Sequence, residues 1–357
     1  MPDRYLTYLS ACPYLGPASL SRLQVCFKDW NSAFNASFSE LKDAKLQPAT
    51  ITKFLNWRPT FNAKSFEQFL VVEQIKTITI EDDNYPQSFK NIYQPPFVLF
   101  YKGSLKIFNT PLLSVVGSRR HSPYARQAIN ALVKPVAEAG ITIVSGLAIG
   151  IDSLAHQAAL DGHGFTIAIP GSGLAKKHLY PHSHERLAQQ IIEQGGLLLS
   201  EFAPNVDGLP PNFPRRNRLI AGLSPVTLVI EAAKRSGSLI TARLAMEHGR
   251  EVWAVPGPIT SPQSIGTNNL ISQGATPILS VNDILEFYNL GVPKTKNSNN
   301  LDTHQLAIIN ALKQQPLATD ELTSLLKIDI RVITQSLTLL QLQGLVGDYD
   351  GGLWGLL

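Results

Sequence analysis

Between residues 111 and 285 the chain alternates short, almost wholly apolar runs with longer stretches of helical periodicity. The apolar runs are Leu112–Val116, Ile141–Val144, Phe165–Ile169, Leu197–Leu199, Val226–Ile230 and Val252–Val255. A strand that lacks polar alternation is covered on both faces. Such strands, taken in turn with helices, predict a parallel, doubly wound sheet. The first intervening helix is punctuated at both ends: Ser122 is placed to cap it, Pro123 to begin it and Gly140 to end it.

The flanks read differently. Residues 1–75 predict a helical domain, of the SAM or helix-hairpin-helix kind, in which Leu15-Gly16-Pro17 makes a tight turn into a helix. Such a turn can hold a phosphate on free N–H groups, but a plain turn between packed helices is the simpler reading. Residues 76–110 connect, with strand character at Thr77–Ile80 and Val98–Tyr101 and breaks at Asn84-Tyr85-Pro86 and Pro95-Pro96. The central domain is therefore bounded at 76–289. Residues 290–300 read as a linker. Residues 301–357 carry three helical patterns, Thr303–Lys313, Thr319–Leu326 and Ile330–Gln343, then Leu345-Val346-Gly347, a turn at Tyr349-Asp350-Gly351-Gly352 and Leu353-Trp354. The expected fold is α/β: an extended Rossmann-like doubly wound sheet, with an N-terminal helical domain and a C-terminal winged-helix-like domain.

Open α/β sheets bind ligands beyond the carboxyl ends of their strands. Here those ends carry Gly117-Ser118-Arg119-Arg120, Ser145-Gly146-Leu147-Ala148, Pro170-Gly171-Ser172-Gly173 with Lys176 and Lys177 behind it, Asn212-Phe213-Pro214-Arg215-Arg216-Asn217-Arg218, Arg235-Ser236-Gly237-Ser238 with Thr241, and Pro256-Gly257 with Asn268. One Gly-Ser turn means little. Six that meet on one rim bring together close backbone approach, helix-start N–H groups and guanidinium forks, which is the chemistry of phosphate binding. The G-x-G-x-x-G turn of dinucleotide folds and the Gly-Lys of P-loops are absent. Several arginines suit a polyanion better than one pyrophosphate. Phe213, flanked by arginines and asparagines, offers a ring on which a base could stack, while a core position for it stays open.

Several of these segments also resemble a known family. Val116-Gly117-Ser118-Arg119, Ser145-Gly146-Leu147-Ala148-x-Gly150-Ile151-Asp152-x-x-Ala155-His156, Asn212 through Arg218, Ser236 through Ala242, and Asn268-x-Leu270-Ile271-x-x-Gly274-Ala275 are similar to the DNA-processing DprA (Smf) family, over residues 80–280 or so. That resemblance implies a non-enzymatic, dimeric protein, and the lack of a signal-peptide pattern or an apolar span predicts a cytoplasmic one. It would bind single-stranded DNA without a cofactor, protect incoming DNA, and help load the RecA recombinase during natural transformation. It makes Arg119 the first candidate contact, followed by Phe213, Arg216 and Arg218. The loop Gly173–Pro181 is longer than the family pattern, which unsettles the roles of Lys176 and Lys177.

Other signals carry less. Lys and Arg outnumber Asp and Glu by 31 to 27, an excess that permits a nucleic-acid partner without demanding one. Cys12 and Cys26 have no metal spacing and suit a reducing compartment. No run reaches the ~18 apolar residues of a membrane span. His178, His182 and His184 read as a solvated loop cluster rather than a metal site. Asp152 reads as a helix cap with His156 along the helix, and Glu201 and Glu231 as carboxylates that orient arginines. The 301–357 segment has Lys313, Lys327 and Arg331 against Asp302, Asp320, Glu321, Asp329, Asp348 and Asp350, so its net charge of three minus six, −3, argues against duplex binding. The enzymatic alternative is a nucleotide-cleaving phosphoribohydrolase. It expects a second glycine and a downstream Glu, where this chain has Ser236-Gly237-Ser238-Leu239-Ile240-Thr241-Ala242.

Overall fold

The computed structural model describes residues 3–290, 301–342, 345–349 and 352–356. Residues 291–300 of the expected linker, Gln343 of the third C-terminal helical pattern, and Asp350-Gly351 of the expected turn lie outside these. The chain divides into two compact units, Met1–Pro293 and Lys294–Leu357.

In the first unit every apolar run of the central domain is a strand within one or two residues of its expected bounds. The strands are β1 (Lys76–Thr79), β2 (Val98–Gly103), β3 (Leu112–Val116), β4 (Thr142–Ser145), β5 (Thr166–Ala168), β6 (Leu197–Ser200), β7 (Val226–Val229), β8 (Glu251–Ala254) and β9 (Thr276–Pro277). They form one sheet in the order β1-β2-β6-β5-β4-β3-β7-β8-β9. From β6 to β9 all neighbours are parallel, while β1 and β2 join antiparallel at the β6 edge. The two connector strands thus extend the sheet itself.

Both faces of the sheet are covered, and β3 shows how. Leu113 and Val115 enter one core with Val133, Val136, Ala155 and Ala159, while Leu112 and Val116 enter the other with Leu219, Ile220 and Ala242. Full burial of each such side chain stabilises by about 1.5–3 kcal/mol. Ser114, the polar residue within β3, is satisfied by Ile220 O at 2.6 Å and Ser224 Oγ at 2.9 Å.

Helices from Arg4–Ala11 to Ala63–Val72 precede the sheet. They pack around Leu6, Leu9, Leu23, Ile51 and Phe54, in a core continuous with Phe97 and Phe100 on the connector. In the second unit the helices Thr303–Leu312, Thr319–Leu326 and Ile330–Leu342 join the strands β10 (Leu317–Ala318), β11 (Val346–Tyr349) and β12 (Leu353–Leu356), paired in the order β10-β12-β11. This is a winged-helix unit with its own core of Ile308, Leu322, Ile333, Leu337 and Leu340. No helix among the described residues is long and apolar enough to cross a membrane.

The strand order fixes where a ligand can sit. From β3 the chain runs outward through β4, β5 and β6, then returns to place β7 on the other side of β3. Crossovers diverge at this point and leave a crevice beyond the carboxyl ends of β3 and β7.

Candidate functional site

A cavity of about 610 Å³ fills that crevice. Larger grooves of about 1030 and 1290 Å³ run elsewhere on the unit, but they lack this convergence of strand ends. From the β3 end come Gly117, Ser118, Arg119 and Arg120; from the helix Asn212–Leu223 come Phe213, Arg216 and Asn217; and from the β7 end come Arg235, Ser236, Gly237, Ser238 and Thr241. Segments more than a hundred residues apart thus meet at one crevice, while Pro170–Gly173 and Pro256-Gly257, expected on the same rim, are not among its lining residues.

Local bonds set each loop. Ser118 N–H donates to Glu231 O at 2.8 Å, which ties the β3 loop to the β7 loop. The Glu231 carboxylate accepts from Ser122 N at 2.9 Å and Ser122 Oγ at 2.6 Å. Glu231 therefore anchors a helix start, not an arginine as expected, because Ser122 N–H and Oγ–H occupy both of its carboxylate oxygens. Ser122 also caps its helix by accepting from Ala125 N–H. Ser236 Oγ accepts from Ser238 N–H and so opens the helix Gly237–Glu247 at the cavity wall. Gly150, at φ +95°, turns the β4 loop against the Ser118 and Arg119 backbone, where a Cβ would collide.

The arginines divide into two sorts. Arg119, Arg120 and Arg235 are exposed, and among the described residues none has an ion pair. The Arg119 guanidinium lies 5.0 Å from the Phe213 ring centroid. Arg216, expected as a free phosphate contact, is instead buried, donating Nη1 to Gly146 O and Ile169 O. It forms the cavity floor and links the β4 and β5 ends. Burial lowers it to about 10, so it stays charged at neutral pH.

Arg218 lies outside this cavity, in a buried ion pair with Glu201, as the orienting role of that carboxylate anticipated. Arg215 lies over the Phe202 ring at 5.1 Å and lines a different cavity. Helical geometry explains the split. Residues turn about 100° apiece, so 213, 216 and 217 face the crevice while 215 and 218 face away. Lys176 pairs with Glu185 at 3.0 Å beside another groove, and Lys177 is exposed but not among the residues lining the crevice. Asn268 serves its own loop, donating to Gly257 O at 3.0 Å and accepting from Gly257 N–H at 3.2 Å.

Phe213 is half-buried at the mouth of the crevice. Its ring stands 5.6 Å from that of Tyr180, and a Cβ on Gly171 would sit 2.5 Å from it, so this glycine makes room for the ring. Tyr180, 38% exposed, and Ile149, 53% exposed, complete an apolar lip with Phe213 and Arg119. The sequence reading missed both. Each sits on a loop whose approach to Phe213 is purely tertiary, although an aromatic ring at the end of a lengthened, lysine-bearing loop was a signal for Tyr180.

The remaining side chains hold the β4 loop. Asp152 is inside the first turn of the helix Ile151–Asp161, and the cap position belongs to Gly150, so the expected cap is displaced by two residues. Its carboxylate folds back towards the N–H groups of Gly146 and Ala148. Burial raises its pKa, against the downward pull of Arg216 and those N–H groups. His156 is fully buried. Thr166 Oγ1 donates to Ile143 O, so the ring must donate Nδ1–H to Thr166 Oγ1 at 2.7 Å, and Nε2 accepts from Leu147 N–H at 3.3 Å. Burial pushes its pKa down to about 3, which keeps this neutral tautomer in place. His184 Nδ1 contacts Leu147 O at 2.8 Å and His178 Nδ1 contacts Asp207 at 2.7 Å. Both have protein partners and are not the freely solvated cluster expected. No three His, Cys, Asp or Glu side chains among the described residues converge in a way that could hold a metal.

A family model described as DNA recombination-mediator protein A matches residues 76–289. The chain belongs to this family. A second model, the DprA winged helix domain, matches residues 292–352. Protein Smf of Escherichia coli is 47% identical over 236 residues, which cover 65% of this chain and 63% of that relative. Protein Smf of Synechocystis is 30% identical over 94% of both chains. The structure of DNA processing protein A from Streptococcus pneumoniae superposes with a TM-score of 0.69 at 34% identity, over 80% of this chain and 98% of that one. DNA processing protein A from Helicobacter pylori, whose structure is described in terms of its single-stranded DNA binding mode, gives 0.55 at 32% identity, over 60% and 96%. The chain is thus a member of a family of DNA recombination mediators, built on the fold these relatives share.

Proposed function

We propose that this protein binds single-stranded DNA in the β3–β7 crevice and acts there as a recombination mediator. The observation that carries this reading is the trio Arg119, Arg120 and Arg235, exposed at the crevice with no ion pair among the described residues, beside an aromatic lip made by Phe213 and Tyr180. Unpaired guanidinium groups take phosphates, and exposed ring faces take bases. Single-stranded DNA presents both together.

In this reading the protein works in the cytoplasm as a homodimer, shields incoming strands and helps load RecA during natural transformation. The labour divides among a helical domain (1–75), the DNA-binding domain (76–289), a linker (290–300) and a winged-helix domain (301–357) that serves protein contacts. The mediator needs no cofactor and no catalytic step. The hydrolase alternative would have to work through Asp152, the one carboxylate among the residues lining this crevice, which is engaged by backbone N–H groups.

A gel-shift titration with single- and double-stranded oligonucleotides at two salt concentrations tests the proposal. The single strand should bind more tightly and weaken steeply as salt rises. Equal affinity for both, or release of a free base from nucleoside monophosphates, would overturn it.

A further inference from the structure

One wall of the crevice is built of hydroxyl groups. Ser238 and Thr241, on the helix Gly237–Glu247, are 6% and 2% exposed, yet both line the cavity. Thr241 Oγ1 has no hydrogen-bond partner among the described residues, and it is not sealed away: the oxygen keeps contact with the crevice. A threonine within a helix commonly gives its hydroxyl to the carbonyl four residues back, as Thr323 and Thr334 do here. Thr241 does not, so a buried hydroxyl in the wall of a polar cavity is left for a ligand.

The groups around it are donors. Ser236 Oγ and Ser238 Oγ lie 2.7 Å apart, so one donates to the other and the second O–H is left over. Gly237, the first residue of the helix, has an N–H with no acceptor inside the helix, and a Cβ on it would meet nothing within 4 Å. A ligand oxygen can therefore come up to the helix start, where the dipole favours negative charge. Arg235 stands exposed beside it. The one carboxylate lining the crevice, Asp152, belongs to the β4 side. One N–H and two hydroxyls thus match the three free oxygens of a phosphate monoester. A phosphodiester within a strand has only two, and would leave a buried donor without a partner.

We propose that the start of the helix Gly237–Glu247 seats a terminal phosphate of the bound strand, with Gly237 N–H, the Ser236–Ser238 pair and Thr241 on its three free oxygens and Arg235 at its rim. The inference rests on the single-strand reading of the crevice, and adds recognition of a strand end to it. The chemistry recognised is a phosphate monoester, which either the 5′ or the 3′ end of a strand can supply.

Fluorescence anisotropy tests it with three internally labelled dT oligonucleotides of one length: hydroxyl at both ends, phosphate at the 5′ end, and phosphate at the 3′ end. The native protein should bind at least one phosphorylated strand roughly tenfold more tightly than the hydroxyl strand, the effect of one charge-assisted hydrogen bond. The strand that gains names the end that is read. An added charge alone would raise affinity in every variant alike, so the deciding figure is this ratio, measured within each protein. Thr241→Val, which keeps the side chain's shape and removes its hydroxyl, should remove most of the gain, and Thr241→Ser should restore it. If Thr241→Val proves unfolded by circular dichroism, Thr241→Ala takes its place. Equal affinity of the native protein for all three strands overturns the phosphate seat and leaves the crevice standing, as does a ratio unchanged by loss of the Thr241 hydroxyl. Failure to bind any strand overturns both.

Discussion

Arg119, Arg120 and Arg235 stand at the solvent edge of the β3–β7 crevice with no ion pair among the described residues, whereas Arg216 and Arg218 are 3% and 8% exposed and hold the protein's own carbonyls and a carboxylate. The same side chain thus does two jobs within one short segment and its neighbours. The rim guanidiniums keep their hydration, so they can exchange it for phosphate at little cost to the fold. The buried ones bind strand ends and a carboxylate together, and their loss leaves charge or carbonyls stranded. Substitution therefore separates the two groups: one set should change binding, the other stability.

The largest effect is expected behind the crevice. Arg218→Ala leaves Glu201 buried and unpaired, and should cost about 3–5 kcal/mol in urea denaturation at neutral pH. Replacing both partners with apolar residues, Arg218→Met with Glu201→Leu, should recover most of that loss. If Arg218→Ala were as stable as the native protein, the division between rim and interior would not hold.

The rim should behave in the opposite way. Arg119→Ala with Arg235→Ala should weaken single-strand binding by about 1.5–3 kcal/mol per lost charged contact, with stability within about 0.5 kcal/mol of the native value. Pairing Arg119 with Arg216 instead would confound the two effects, since Arg216 links the β4 and β5 ends.

A smaller, pH-dependent effect marks the support beneath the rim. The pKa of His156 falls from 6.5 to about 3 in the folded chain, so between those values the unfolded chain holds one more proton. Stability due to this group is full above pH 6.5 and is lost as pH falls, at about 1.4 kcal/mol per unit. His156→Gln should flatten the slope of unfolding free energy between pH 6 and 4 by close to one proton, and an unchanged slope would remove His156 from the account. The smallest effect is expected from deleting residues 301–357, whose net charge of −3 offers little to a polyanion. Single-strand affinity should stay within about 0.5 kcal/mol of the intact chain.

Much of this was legible in the sequence, and the rest was hidden for physical reasons. Strands such as Leu112–Val116 announce themselves because burial on both faces removes all polar alternation. The meeting of Gly117–Arg120 with Arg235–Ser238 follows from strand order, which a run of β and α segments constrains tightly. By contrast, the antiparallel attachment of β1 and β2 depends on pairing β2 with β6 about a hundred residues away, and nothing local encodes it. The sorting of Arg215, Arg216 and Arg218 depends on the rotation of one helix against the sheet. Periodicity divides these residues into two faces without revealing which face is buried. Tyr180 and Ile149 reach the Phe213 lip only through tertiary loop contacts.

The central claim is that the rim arginines contact the phosphates of a single strand. It is tested most directly by the salt dependence of oligonucleotide affinity for the native protein and for the Arg119→Ala, Arg235→Ala double variant. Each lost phosphate contact should reduce the slope of log K against log salt by about 0.7 for single-stranded DNA, so the double variant should lose about 1.4. Identical slopes for the two proteins would contradict the account.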